Sequence, residues 1–189
     1  MAMGRMDEAV TEIQRAQELD PASAIIDTTA AHILNQAGRY DEALEQCRKA
    51  LDLDHDFALA HYVEGRTYEQ KGMLAEAIAE FQKASELSGG SHILMSALGH
   101  AYALSGKRAE AQQLLVQLVS LSKQRYIPAV YMMAICVGLG DKDQAFRWLN
   151  QALQDRCDYV IYLQHEPGME PLRADPRFRA LMRQVGLSS

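Results

Sequence analysis

Gly4, Gly38, Gly72, Gly106 and Gly140 stand 34 residues apart, and Ala9, Ala43, Ala77, Ala111 and Ala145 keep the same step five residues later. Ten residues in one register mean that a supersecondary unit is being copied. A unit of this length cannot bury its apolar face alone, so the copies must stack on one another. Between the markers, YDEALEQCRKAL, LAEAIAEFQKASEL and RAEAQQLLVQLVSL carry apolar residues at three and four spacing, the pattern of amphipathic helices. Each period therefore holds two helices. A glycine ending the first takes the left-handed conformation at no steric cost and turns the chain into the second. The alanine lets the paired helices come close, which places Ala77 in a tight contact and Ala79 on the other face.

Composition narrows what such an array does. With 48% hydrophobic and 23% charged residues the chain resembles a folded protein and not a disordered one. A net charge of −6 disfavours a nucleic-acid surface, whose affinity comes from lysine and arginine neutralising phosphates. Cys47, Cys136 and Cys157 show no CxxC spacing, so no zinc or redox motif is written here, and their odd number points to a reducing compartment, hence the cytoplasm. No apolar run approaches the roughly 18 residues of a membrane span, so no membrane insertion is expected.

The stretch from His61 to Gly89, with Gly65, Tyr68, Ala77, Phe81 and Ala84, and the next copy, with Leu98, Gly99, Tyr102, Ala111 and Leu115, resemble the tetratricopeptide repeat. Ala9, Ile13, Ala16 and Pro21 match the second half of an earlier copy. The departures are an absent tryptophan, His55 and Gly89 in place of the closing proline, and Met133 where Gly65 and Gly99 stand. The resemblance implies an all-α, right-handed α-solenoid of helix-turn-helix hairpins. Residues 1–153 would form the array, with a half repeat at 1–21 and repeats from about 24, 58, 92 and 126.

Residues 154–189 break the period. Pro167, Pro171 and Pro176 predict a loop with a short turn, after which Asp175 caps a final helix that has Pro176 as its first residue. Phe178, Leu181, Met182 and Val185 give that helix an apolar stripe suited to capping the last repeat. The phrase EPLRADPRFRALMRQVGL is similar to tails that follow tetratricopeptide arrays in bacterial regulatory and signalling proteins. With GRMDEA opening on the second helix of a repeat, it implies the C-terminal arm of a larger bacterial regulator, the alternative being a natural start with a degenerate first repeat.

In this family the first helices line the concave surface. Superimposing residues one period apart aligns Thr28, Tyr62, Ser96 and Val130; His32, Arg66, His100 and Ala134; and Asn35, Glu69, Ala103 and Val137. With Gln36 and Gln70 beside them, the expected partner-binding set is Thr28, His32, Asn35, Gln36, Tyr62, Arg66, Glu69, Gln70, Ser96 and His100. The resemblance implies a protein or peptide ligand, and the His32, Arg66, His100 column suits an acidic side chain or a C-terminal carboxylate. The carboxylate clamp of chaperone-binding members is absent, since Thr28, Thr29, His32, Leu59 and Val63 occupy its positions. The alternative is self-association as a homodimer through the helix of Ala9, Ile13 and Ala16.

Other features carry less chemistry. Arg66 between His32 and His100 argues against a metal there, and His55 and His165 are read as surface residues. Glu64 stands where Leu98 and Met132 stand in later repeats, so it must reach solvent or find a partner. SGGSH at 88–92 is a turn with Ser91 as cap, lacking the Walker lysine. Tyr126, Tyr131, Trp148, Tyr159 and Tyr162 are expected to fix the cap by packing. No catalytic constellation or cofactor motif is present, so an enzyme is not expected.

Overall fold

The computed structural model describes residues 5–184 and 186. Gly4, Val185 and the last three positions, named in the sequence reading, lie outside these. Among the described residues eleven α-helices follow in order: α1 (Met6–Leu19), α2 (Ala24–Gln36), α3 (Tyr40–Leu53), α4 (Ala58–Gln70), α5 (Leu74–Ser88), α6 (His92–Leu104), α7 (Arg108–Ser122), α8 (Val130–Gly138), α9 (Lys142–Gln154), α10 (Glu170–Arg173) and α11 (Pro176–Gln184). A 3-10 turn, Asp158–Tyr162, separates α9 from α10, and no strand occurs among the described residues. The fold class is all-α, of the helical-hairpin solenoid type.

The turn chemistry explains the period. Gly38, Gly72, Gly106 and Gly140 all take φ between +74° and +82°, the left-handed region that a Cβ disfavours. At each, the glycine N–H bonds three residues back and the following N–H five back: Gly72 to the Glu69 carbonyl at 3.0 Å and Met73 to the Tyr68 carbonyl at 2.9 Å. This is the Schellman closure, which satisfies the last carbonyls of the first helix while redirecting the chain. The same pair of bonds recurs after α2, α6 and α8.

The chain divides into two compact units, one through Leu94 and one from Met95, with α6 starting in the first and continuing into the second. In the first unit α2 packs on α1, α3 and α4, and α4 packs on α3 and α5. Its close point is Gly65, where a Cβ would lie 2.7 Å from the Phe81 ring and 3.2 Å from the Ala77 carbonyl oxygen. Ala77 is fully buried and Ala79 exposed, as the alanine register requires. Ala9 and Ile13 pack partly against Val10, Ile33, Leu34 and Ala43.

In the second unit Gly99 meets Ile135, and α8 packs on α7 and α9. The fourth full copy begins its first helix only at Val130 because Pro128 disfavours helical geometry in the residue before it. The tail belongs to this core: Val160, Leu163, Met169, Leu172, Phe178 and Met182 are buried in one cluster with α8 and α9 residues. Asp175 Oδ1 accepts from the Arg177 backbone N–H at 2.9 Å, forming the expected cap of α11. Arg177 also bonds Asp143 at 2.7 Å and lies 4.2 Å from the Phe146 ring centroid, tying α11 to α9. Arg173 donates to the Leu163 and Glu166 carbonyls and closes the loop between.

Of the aromatic cluster, Tyr131 and Trp148 are half-buried against this core, and the Tyr131 and Tyr159 rings lie 6.0 Å apart. Tyr126, Tyr159 and Tyr162 stay exposed, against the expectation of packing; on the 3-10 turn the apolar cover comes from Val160 and Leu163, which three-residue spacing puts on one face, away from Tyr159 and Tyr162.

Candidate functional site

Polar side chains gather at several places in the first unit, two of which concern the site. One is the accessible face of α2 and α4. His32 is exposed there, with Gln36 Nε2 3.1 Å from its Nε2, and Tyr62, Arg66 and Gln70 are half-buried. These five residues of the expected binding set remain accessible.

The other five do not open on a groove, which corrects their expected placement. Thr28 is 1% exposed and donates to the Ala24 carbonyl at 2.8 Å. Asn35 is buried and donates to Thr67 Oγ1 at 3.0 Å, joining α2 to α4. Glu69 is buried as well. Ser96 is buried and donates to the Tyr131 carbonyl at 2.9 Å, joining α6 to α8. His100 is buried beside Gly138 and Gly168, whose added Cβ atoms would lie 2.9 and 3.4 Å from its ring. Asn35 and Ser96 lie on the seam between adjacent first helices and are used to join them, whereas Thr28 bonds within its own helix. Gly168 sits in the tail, so His100 is covered by a segment outside the repeat.

The second polar place is the α4–α5 hairpin. His61, 7% exposed, and Glu64 are one helical turn apart on α4, and Glu80 reaches them from α5. One ligating atom from each lies within 4.8 Å of the other two. His61 Nδ1 is 2.7 Å from Glu80 Oε2, and Nε2 is 3.1 Å from the His55 carbonyl oxygen. Glu64 has its carboxyl pushed up by burial and then by Glu80, opposed by a hydrogen bond from Tyr68. That bond answers the expectation that Glu64 would need a partner. The thiol of Cys47, fully buried, is pushed up by burial and by the same two carboxylates. Cys136 is likewise buried and pushed up to about 12, so both thiols are held protonated and unreactive.

Glu64 stands out in the sequence, whereas the cluster does not. The signal present was His61 and Glu64 at i, i+3 on one face; the third member comes from another helix, and only the close approach at Gly65 brings Glu80 near. A separate open hollow of about 530 Å3 between α1, α2 and α3 is lined by Gln17, Asp27, Lys49 and Asp52 among others. Gln17 there donates to Asp27 at 2.6 Å and to Gln46 at 2.7 Å, which satisfies the buried Asp27.

Comparison with known proteins agrees with this architecture. Family models described as TPR repeat and tetratricopeptide repeat match residues 31–72, residues 1–23 and 58–90, and residues 94–125. No curated protein matches the sequence. Among solved structures, a thermophilic TPR protein from Thermus thermophilus is similar at a TM-score of 0.69 and 21% identity, over 89% of this chain and 92% of that one. MamA is similar at a TM-score of 0.57 and 21% identity, over 82% of this chain and 90% of that one. A tetratricopeptide repeat protein from Parabacteroides merdae is similar at 0.57 and 16%, over 99% of this chain and 75% of that one. At these identities the structures speak for the fold alone. The family models span most of the region where the glycine closures repeat, and on both grounds the chain belongs to the tetratricopeptide repeat family.

Proposed function

We propose that the protein is a noncovalent interaction scaffold and that the accessible face of the first helices α2 and α4, the side expected to line the concave groove, holds an acidic segment of a partner protein. The observation that carries this is His32 and Arg66, one period apart on two first helices that pack directly on each other, flanked by Gln36, Tyr62 and Gln70. A guanidinium recognises a carboxylate in a planar, bidentate geometry, and glutamines beside it offer both donors and acceptors. Because the side chains are carried on packed helices, little conformational entropy is lost on binding. The family generally works by holding partners and not by catalysis, which agrees with the absence of any catalytic constellation in the sequence. Three free, buried cysteines support a reducing compartment, and we place the protein in the cytoplasm on that basis. Among the described residues no helix is long and apolar enough to cross a membrane. The tail resemblance supports a bacterial regulatory parent.

The test is a peptide array of internal and C-terminal acidic motifs probed with the full chain and with Arg66→Glu. Charge reversal is expected to weaken the bound peptides by more than about tenfold, with an unchanged circular dichroism spectrum. Equal binding by the variant would remove the α2–α4 face from the account.

A further inference from the structure

We propose that His61, Glu64 and Glu80 form a binding site for one divalent transition-metal ion, with Zn2+ the best match, which staples α4 to α5 within a single helical hairpin. Three ligating atoms of the right kinds already lie within 4.8 Å of one another. Around a tetrahedral zinc with bonds of roughly 2.0–2.1 Å, ligand atoms stand about 3.3 Å apart, so small side-chain rotations complete the geometry.

The orientation of His61 is the specific argument. The His55 carbonyl oxygen only accepts, so the Nε2 that faces it at 3.1 Å is the donor. Nδ1 then turns its lone pair toward Glu80 Oε2 at 2.7 Å, with Glu64 beside it. A metal ion seated between these two atoms satisfies both. An imidazole whose far nitrogen is anchored on a backbone carbonyl is the arrangement that metal-ligating histidines adopt. One imidazole with two carboxylates suits a borderline ion better than a thiophilic or purely oxygen-seeking one. Glu80 keeps 26% of its side chain accessible, which leaves an entry path and room for a water as fourth ligand.

The neighbouring copies show that the fold itself does not ask for these residues. One period earlier the equivalent positions are Asp27, Ala30 and Gln46, where Gln17 bridges Asp27 and Gln46 in a hydrogen-bonded link. One period later they are Met95, Leu98 and Leu114, all apolar. Across these three copies the position is filled by an amide bridge, by aliphatic packing, and by three ligating groups at a cost in buried charge.

The experiment is calorimetric titration of the full chain with Zn2+ alone, with melting temperature read in parallel. One ion per chain is expected, with a rise in melting temperature on loading. Glu64→Gln and Glu80→Gln are each expected to weaken zinc by about tenfold or more, whereas Glu76→Gln, exposed on the same helix as Glu80, should leave it unchanged. The triple substitution His61→Met, Glu64→Leu, Glu80→Leu copies the apolar filling one period later, so it is expected to fold and to show no rise with zinc. Absence of zinc binding to the unaltered chain overturns the site, and so does zinc binding that survives the triple substitution, because the ion would then be held elsewhere.

Discussion

At the scale of single residues, small side chains set the distances on which everything larger depends. Gly65 and Ala77 face each other across α4 and α5 with no room to spare. Ala77→Leu is expected to cost about 1–3 kcal/mol by overpacking, while Ala79→Leu, on an exposed position, should stay within about 0.5 kcal/mol of the parent. Paired urea titrations read the difference, and equal midpoints would show the register to be wrong. These positions were legible in advance because periodicity marks which residues sit at a contact. Depth was not legible. Thr28, Asn35 and Ser96 are short and polar, and a repeat alignment places them on the first-helix face without saying whether the seam between helices closes over them. In each case a partner on the adjacent first helix, or a carbonyl one turn back, made burial affordable: Thr67 for Asn35, the Tyr131 carbonyl for Ser96, the Ala24 carbonyl for Thr28. The Asn35 and Ser96 pairings link residues 32 and 35 positions apart and have no signature in local sequence.

At the scale of elements, the repeats and the tail are held by different means. The first helices end on backbone geometry, the Schellman closures at Gly38, Gly72, Gly106 and Gly140, and those ends were readable from four glycines at one spacing. The short α11 instead relies on side chains. Arg177 bonds Asp175 and Asp143 and stacks on Phe146. The Arg177 guanidinium, followed by its backbone N–H, lowers the Asp175 carboxyl from an ordinary 3.8 to about 2. A carboxylate whose value is lowered by folding adds stability above its unfolded value, and that stability drains away as pH falls toward the folded one. Thermal melts between about pH 4 and pH 2 should therefore fall more steeply for the parent than for Asp175→Asn; parallel curves would mean that the ion pair does not form in solution. The capping role of Asp175 was visible in the sequence, whereas the reach of Arg177 back to Asp143 was not, because it joins residues 34 positions apart through a loop whose path no local pattern defines.

At the scale of the whole molecule, the chain carries more than one core. Val10, Ile33, Leu34 and Ala43 form a cluster in the first unit, and the large cluster running from Ala103 to Met182 lies in the second. Stability in repeat proteins is close to a sum of local terms, so damage should remain where it is made. Leu118 is fully buried in the second unit, and Leu118→Ala is expected to cost about 2–5 kcal/mol. Amide hydrogen exchange should then quicken across 95–186 before it does so in the first unit. A uniform increase along the chain would show that the units open together.

The left-handed glycines have a genealogical consequence. Because each turn is fixed by backbone sterics at one residue, and not by contacts peculiar to its copy, Gly38 followed directly by Met73 would present the same local junction as Gly38 followed by Arg39. Unequal crossing-over that removes or duplicates one whole period therefore joins chain ends that already fit. Lineages of such proteins can lengthen or shorten in single steps of gene recombination, and the side chains on each new copy are then free to diverge, as the three fillings of the His61, Glu64 and Glu80 position have done.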